Sequence, residues 1–276
     1  MAAGALAFSV MSAVAKVVGS SLPLFHMILG RSVVVAVLSG VSLHRQGQSF
    51  RGHDTSLLIQ RALFGFAALS CYFYSVIVLP LADATVLYFT NPVLTAVAAA
   101  ALLGERMGRR EWVAVVLSMI GVLVIARPGF LFETGGSLPP AGVAAGLFAA
   151  VFGAGSYVTI RRIRNDPPLR IVFWFSAITC VLAAPMVLWT PARPTPLDLL
   201  LIVLIGVATH LGQLWITWGF RLERAGRASA VGYLQIVFAA GWGWLLFQEA
   251  PDRWTWTGAA VVVLGTLQLV RRRKKA

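Results

Sequence analysis

The chain has 276 residues, of which 58% are hydrophobic and only 12% are charged, and its mean hydropathy is +0.81. These values exclude a soluble domain of this size and indicate an integral membrane protein. A net charge of +13 would suggest nucleic acid as the partner of a soluble protein, but here the basic residues follow a membrane pattern.

Ten apolar segments are each long enough, at about 17 to 25 residues, to cross a hydrocarbon core of roughly 30 Å. They cover residues 2–18, 23–43, 57–79, 83–104, 111–127, 139–160, 169–190, 197–219, 228–248 and 254–270. The sequence therefore predicts an all-α integral membrane protein with ten transmembrane helices. Cys71 and Cys180 fall within these spans as small apolar residues. The sequence has no CxxC pair, metal-ligand spacing or cofactor motif, so we expect no disulfide, metal or cofactor.

The basic residues mark one side of the membrane. If the N-terminus lies inside, seventeen of the 23 Lys and Arg residues fall in the inner loops and the C-terminal tail, and three fall outside. The remaining three lie within spans and are Lys16, Arg31 and Arg61. The positive-inside rule then predicts that both termini are cytoplasmic. We expect a multi-pass protein of the bacterial inner (plasma) membrane. Its partner is the lipid bilayer, and we expect no binding of nucleic acid.

The second half of the chain repeats the first at an offset of 144 residues. Residues 83–127 align with residues 227–271 without a gap, and ten of the 45 positions are identical, including sparse Glu, Arg, Trp and Gly residues. Because five spans is an odd number, equivalent helices cross in opposite directions, as in a 5+5 inverted-topology repeat. The two predicted five-helix repeats are residues 1–130 and 131–276.

Several short motifs carry a resemblance to a known family. Leu81-Ala82-Asp83-Ala84-Thr85 enters the fourth span, Asn91-Pro92 lies within it and Gly104-Glu105-Arg106 closes it. With the ten-span repeat and Arg31 in the second span, these motifs resemble the EamA family of the drug/metabolite transporter (DMT) superfamily across essentially the whole chain. In length and cavity-type residues, the chain is most similar to the YddG-type exporters of aromatic amino acids. The resemblance implies a basket of helices around a central cavity, with spans 5 and 10 peripheral and alternating access between the halves.

The acidic residues are informative because they avoid the middle of the spans. All ten Asp and Glu residues fall in loops or within about a turn of a span end. Carriers that are coupled to protons or sodium usually place a carboxylate near the bilayer midplane. The sequence therefore favours a facilitator or exchanger over a carboxylate-based proton antiporter.

Two basic residues within spans are candidates to meet a substrate carboxylate. Arg31 lies about 12 Å below the outer boundary at 1.5 Å per residue, where an unpaired arginine costs at least ~2.5 kcal/mol. It either donates to backbone carbonyls of a neighbouring helix or faces a wet cavity. Lys16 is close enough to the end of its span to reach the interface instead.

Aromatic residues inside the spans are candidates for the apolar wall of a binding site. A buried phenol or indole needs a hydrogen-bond partner, which a cavity would supply, although packing between helices is the alternative for any one residue. The candidates are Tyr72, Tyr74, Tyr88, Tyr157, Tyr233, Trp215 and Trp218.

Four polar residues complete the candidate site. His210 and Gln213 share one face of the eighth span at i and i+3. Asn91 precedes Pro92, whose ring loosens the helix, and the 144-residue register pairs Asn91 with Gln235. Such amides also serve as contacts between helices, and His210 either bonds as a neutral residue or titrates near neutral pH.

The leading hypothesis is a secondary transporter that exports a small-molecule substrate, with aromatic or apolar amino acids as the first class. A carrier of another solute on the same fold, such as an organic anion, a nucleotide-type or a quaternary compound, is the alternative, and a structural membrane protein is a non-transport one. The sequence has no nucleophile–base set, which argues against an enzyme. The oligomeric state stays open, and a monomer fits the prediction.

Overall fold

The computed structural model describes residues 1–19, 21–79, 87–105, 108–126, 139–190, 192–247 and 253–270, and these fold into helices joined by short connections. The helices are α1 (Ala2–Val18), α2 (Leu24–Arg45), α3 (Thr55–Val78), α4 (Asn91–Leu103), α5 (Arg109–Ala126), α6 (Pro140–Arg162), α7 (Pro168–Trp189), α8 (Pro196–Leu222), α9 (Ala225–Val231), α10 (Leu234–Phe247) and α11 (Arg253–Val270).

The all-α, ten-span prediction is confirmed, because α9 and α10 are two pieces of the ninth span. Within the described ranges, five helices of 21 to 27 residues are long and apolar enough to cross a membrane by themselves. They are α2, α3 (as residues 55–75), α6, α7 and α8. The other apolar helices are shorter, so the spans differ in how continuous they are.

Local sequence signals explain where the longest helices begin and where α4 ends. Pro140, Pro168 and Pro196 each occupy the first helical position, where the missing N–H costs nothing and the fixed φ suits a helix. Thr195 and Asp198 form a capping box at the start of α8. Gly104 ends α4 with φ +65°, a left-handed conformation that glycine adopts without strain.

The fourth and ninth spans are both interrupted in their first half. The chain turns at Phe89 and Thr90 before α4, and at Gly232 and Tyr233 between α9 and α10. Phe89 and Tyr233 are 144 residues apart, so the interruptions fall at equivalent positions of the two halves. Paired discontinuous helices of this kind border the binding sites of transporters with inverted repeats.

Equivalent helices of the two halves make equivalent contacts. The packing of α1 on α8 matches that of α3 on α6, while α2 packs on α7 and α5 on α11. The α5–α11 seam is reciprocal: a Cβ on Gly121 would lie 2.7 Å from the Gly258 carbonyl oxygen, and one on Gly265 would lie 3.0 Å from that of Ala114. In each helix, a glycine near the C-terminal end contacts a residue near the N-terminal end of the other helix. The two helices α5 and α11 are therefore antiparallel.

Candidate functional site

A cavity of about 770 Å³ lies between helices of the two halves. Residues of α1, α2, α3, α6, α7, α8 and α10 form its wall, together with Tyr88 and Phe89 beside the interruption of the fourth span. A cavity of this size is typical of small-molecule sites. It lies at the centre of the helix basket, which confirms the central cavity that the sequence predicts.

The cavity reaches unequally toward the two faces of the molecule. We call the face that holds Met1 and the helix ends at Arg45, Arg162 and Leu222 the basic face. The opposite face holds residues 19, 21–23, 190 and 192–195. The wall includes Gly19, Leu22, Pro23 and Leu24 at the opposite face. Toward the basic face, the described wall residues of α3 and α6 stop at Arg61 and Tyr157, about 8 to 9 Å before the helix ends at 1.5 Å per residue.

Arg61 of α3 is the most deeply buried cation of the wall, at 2% exposed. Its Nη2 donates to Gln213 Oε1 at 3.0 Å, and its guanidinium lies 4.1 Å from the centre of the Phe175 ring, a cation–π distance. Nε and Nη1 make no hydrogen bond within the described protein. Gly65, one turn further along α3, leaves room there, because a Cβ at that position would collide with Nη1 and with Phe175.

Arg31 of α2 is the second buried cation of the wall, at 6% exposed. Its Nη1 lies 3.7 Å from the sulfur of Met11, which is a weak acceptor, and its Nε makes no hydrogen bond within the described protein. Of the two environments that the sequence leaves open for Arg31, the structure places it at the cavity.

The charge of these two arginines is not balanced inside the cavity. The described wall contains no Asp or Glu. Glu105 and Asp166, two of the described acids, are bonded to other arginines near the ends of the helices. A buried cation in a membrane costs about 2.5–3.5 kcal/mol or more without compensation, so the cavity is a region of positive potential that favours anions.

Aromatic rings form part of the same wall as the two arginines. The ring centroids of Tyr72 and Tyr88 are 4.7 Å apart, and those of Tyr88 and Phe89 are 5.7 Å apart. Tyr157 lines the cavity as well. Trp242 completes this side of the wall, and its Nε1 donates to Ser9 Oγ at 3.0 Å. The wall therefore offers flat apolar surface with a few hydroxyls.

Six of the thirteen residues predicted from the sequence meet at this wall. They are Arg31, Tyr72, Tyr88, Tyr157, Gln213 and Gln235. Arg61 was not among the predicted residues, although its depth of six residues into α3 and the glycine that follows one turn later are visible in the sequence. The side chain of Lys16 lies outside the described residues.

Asn91 differs from its predicted role as the symmetric partner of Gln235 in binding. Its Nδ2 donates to the carbonyl of Ala150 at 3.0 Å, and its Oδ1 accepts from Thr95 Oγ1 at 3.1 Å. Gly153 makes this contact possible, because a Cβ there would collide with the Asn91 amide. Asn91 thus joins α4 to α6 and is not among the described wall residues.

His210 likewise lies between helices and not at the wall. Its Nδ1 is 3.1 Å from Ser39 Oγ, so it links α8 to α2 at a buried position. This is the hydrogen-bonding alternative that the sequence left open for it.

The other aromatic candidates lie away from the cavity wall. Tyr233 is fully buried, and its hydroxyl donates to the Met119 sulfur at 3.7 Å. Three others are 40–51% exposed on the outside of the bundle: Tyr74, Trp215 and Trp218. The sequence cannot tell whether an aromatic residue faces the cavity or the lipid, because such residues suit both surfaces.

A buried cluster joins the two halves at the basic face. Asp166, between α6 and α7, accepts hydrogen bonds from the backbone N–H groups of His53 and Asp54, each at 3.0 Å, and from Arg170 Nη1 at 2.7 Å. Burial by itself would raise the pKa of the Asp166 carboxyl, but these donors outweigh it and hold the pKa below its ordinary value. We call this contact the inner latch.

A second ion pair closes the basic face beside the inner latch. Arg161 Nε donates to Glu105 Oε1 at 2.8 Å, and its Nη1 donates to the carbonyl of Arg221 at 2.9 Å. The other carboxylate oxygen of Glu105 accepts from the backbone N–H of Ala225 at 3.0 Å. The ends of α4, α6, α8 and α9 are thereby tied together.

The opposite face is joined by a lighter contact at equivalent positions. Ser21 Oγ donates to Asp198 Oδ1 at 2.6 Å, and the other oxygen of Asp198 is held by Thr195. Ser21 corresponds to Asp166 at an offset of 145, and Asp198 corresponds to Asp54 at an offset of 144. We call this contact the outer latch.

A ten-helix membrane bundle whose repeated halves enclose a cavity of this size has the architecture of a membrane transporter. The chain belongs to the EamA-like transporter family, whose model matches residues 1–127 and 140–271. This membership confirms the resemblance that the sequence motifs carry, and the family is one of transporters rather than enzymes.

Individual relatives agree with this assignment. The pseudopaline exporter of Pseudomonas aeruginosa (strain UCBPP-PA14) is 33% identical over 272 residues, which are 97% of this chain and 93% of the relative. The S-adenosylmethionine uptake transporter of Rickettsia felis is 24% identical over 79% of this chain and 72% of its own length. A solved protein structure superposes with a TM-score of 0.83 over 99% of both chains at 18% identity, which shows the shared fold.

Proposed function

We propose that this protein is a secondary transporter of the bacterial inner membrane that exports small metabolites, with amino acids bearing aromatic or apolar side chains as the first class. The observation that carries the proposal is the cavity between the halves, where Arg31 faces a wall of tyrosines. The guanidinium would bind the substrate carboxylate, and the rings of Tyr72 and Tyr88 would contact the side chain. Export, rather than uptake, follows the more similar of the two named relatives.

In the proposed mechanism, the two halves rock around the cavity and expose it to each side in turn. The two latches lie at the two ends of this path, so opening either end requires its latch to separate. The charge distribution supports cytoplasmic termini, which makes the basic face the cytoplasmic one. One chain walls the whole cavity, and this favours a monomer as the working unit.

One observation favours a second candidate, an organic-anion carrier on the same fold. An amino acid brings an ammonium group as well as a carboxylate, and the described wall offers it only neutral acceptors. A solute without a free amine brings no ammonium group, so it would need no acidic partner in the wall.

Counterflow into liposomes tests both candidates. Liposomes that contain the purified protein would be loaded with phenylalanine or with N-acetylphenylalanine and then given the same compound in radiolabelled form. We expect accumulation above that of empty liposomes for at least one of the two, and N-acetylphenylalanine as the better substrate would favour the organic-anion candidate. If neither compound nor any other amino acid of a panel shows counterflow, the substrate class is wrong.

The lack of a carboxylate in the described wall supports exchange or facilitated diffusion over proton coupling. Collapse of the pH gradient with a protonophore should therefore leave counterflow unchanged. A loss of most of the counterflow under the same treatment would instead require a titrating group on the substrate path.

A further inference from the structure

We propose that the cavity takes a solute with two carboxylates held apart by an apolar or aromatic section, and that Arg61 binds the second carboxylate. The inference rests on the proposed transport function and specifies its substrate. Four features of the cavity support it: the depths of the two arginines, their open N–H groups, the charge balance of the wall and its aromatic surface.

The two arginines stand at different depths of the same cavity. Arg31 is seven residues into α2, counted from the opposite face, and Arg61 is six residues into α3, counted from the basic face. At 1.5 Å per residue, their Cα atoms are separated by roughly 12 Å along the helix direction. The two ends of an elongated solute can therefore each engage one arginine.

Each guanidinium has N–H groups that remain to be bonded. Arg61 uses Nη2 for Gln213, while its Nε and Nη1 have no bond within the described protein. Arg31 has only the Met11 sulfur as an acceptor for Nη1, and its Nε has none. Nε and a terminal nitrogen form the fork that binds a carboxylate through two parallel hydrogen bonds.

The charge of the wall matches two single negative charges. Two buried arginines face the cavity, and no described wall residue is a carboxylate. Asp166 and Asp198 are already bonded in the two latches, and Glu105 is bonded by Arg161. A dicarboxylate would neutralise both cations, whereas a monocarboxylate would leave one buried without a counter-ion.

The aromatic surface of the wall selects what connects the carboxylates. Tyr72, Tyr88 and Phe89 pack against one another there, and Trp242 also lines the cavity. Rings of this kind favour an apolar chain or a planar group over a second set of charges. The volume of about 770 Å³ leaves room for such an elongated molecule.

A series of linear dicarboxylates can measure this arrangement directly. The full chain in lipid nanodiscs would be titrated with succinate, glutarate, suberate and sebacate, and with octanoate and octanediol as one-charge and uncharged controls. Binding would be followed by calorimetry. We expect suberate or sebacate to bind at least about tenfold more tightly than octanoate, since hydrogen bonds to a charged group contribute about 1.5–3 kcal/mol, and succinate to bind weakly because it cannot reach both guanidiniums.

Variants separate the two arginines from each other. Arg61→Gln and Arg31→Gln should each lower suberate affinity by about tenfold, to the level of octanoate. Arg193→Gln, at an exposed position on the opposite face, is the matched control and should bind like the wild type. Arg61→Lys keeps the charge without the planar fork; it should retain part of the suberate preference and serves if Arg61→Gln does not fold.

Two results would overturn the inference: suberate that binds no more tightly than octanoate, or a suberate-to-octanoate ratio that neither Arg61 variant changes. Its failure can be told apart from failure of the transport proposal. Counterflow of phenylalanine without any dicarboxylate preference would reject the second carboxylate site alone. Dicarboxylate binding that depends on both arginines, without counterflow of any compound, would reject transport alone.

Discussion

The inner and outer latches occupy equivalent positions of the repeat, but different chemistry holds them. On the basic face, Asp166 binds two backbone N–H groups and the buried Arg170. On the opposite face, the corresponding contact is a single hydrogen bond from Ser21 to Asp198. The duplicated scaffold thus keeps the place of the contact and changes its strength. We infer that the opposite face opens more readily, which agrees with a cavity wall that extends to Gly19 and Leu22 on that side.

Removal of the Asp166 carboxylate should produce the largest loss of stability. Asp166→Ala leaves Arg170 buried without its partner, and breaking a buried ion pair costs about 3–5 kcal/mol. The free energy of unfolding in mixed micelles measures this.

Glu223 and Arg227 provide a matched control, because they form an ion pair with the same i, i+4 spacing but with side chains 39% and 34% exposed. Glu223→Gln should cost no more than about 0.5 kcal/mol. Equal losses for Asp166→Ala and Glu223→Gln would show that the inner latch is no stronger than a surface pair.

The second contact of the basic face should have an intermediate effect. Glu105→Gln removes the charge that Arg161 binds but can keep an acceptor for the Ala225 N–H, so we expect a loss of about 2 kcal/mol in the same unfolding measurement. Arg161→Gln should cost a similar amount, and the double variant should cost much less than the sum of the two. Additive losses would mean that these side chains do not stabilise each other.

The outer latch should give a smaller change in stability but a clear change in access. Ser21→Ala removes one hydrogen bond and should cost about 1 kcal/mol. With Ser12→Cys as a reporter in the cavity and Cys71 and Cys180 replaced by Ser, we expect faster maleimide labelling from the opposite face only. Asp166→Asn in the same background should instead raise labelling from the basic face. Faster labelling from the same side in both variants would contradict the assignment of one latch to each end.

The smallest expected effect is a pH dependence confined to the inner latch. Because the pKa of Asp166 is lowered in the folded protein, its stabilisation is complete above 3.8, the ordinary value, and declines as the pH falls through the lowered folded value. The difference in unfolding free energy between wild type and Asp166→Ala should therefore be constant from neutral to mildly acidic pH and shrink below about 3.8. If this free-energy difference instead grows on acidification, the pKa of Asp166 is raised and not lowered in the folded protein.

Most of the fold could be predicted because the repeat and the apolar runs are long signals. The first predicted span, residues 2–18, coincides with α1, and the other spans that remain continuous differ by only a few residues at their described ends. The interruption of the fourth span was visible in Pro92. That of the ninth was not, since it depends on a turn at Gly232 and Tyr233, and neither residue forces a helix to break.

The site was less predictable because depth and facing direction depend on the packed bundle. Arg61 lies near enough to the start of α3 that its side chain could have extended to the interface; the contact with Gln213 and Phe175 keeps it at the cavity instead. Asn91 was placed at the site by symmetry and by the helix loosened at Pro92, but Gly153 lets α6 come close enough to bind its amide. Such contacts between distant segments leave no local signal in the sequence.

The reciprocal seam of α5 and α11 has an evolutionary consequence. Gly121 meets the region of Gly258 in the same way that Gly265 meets the region of Ala114, so the seam is an isologous interface within one chain. A single five-helix chain that inserted into the membrane in both orientations would build this seam from two copies of itself. Fusion of two such genes would then free each copy to diverge, and the unlike latches at the two ends of the cavity are a product that an identical pair could never have made.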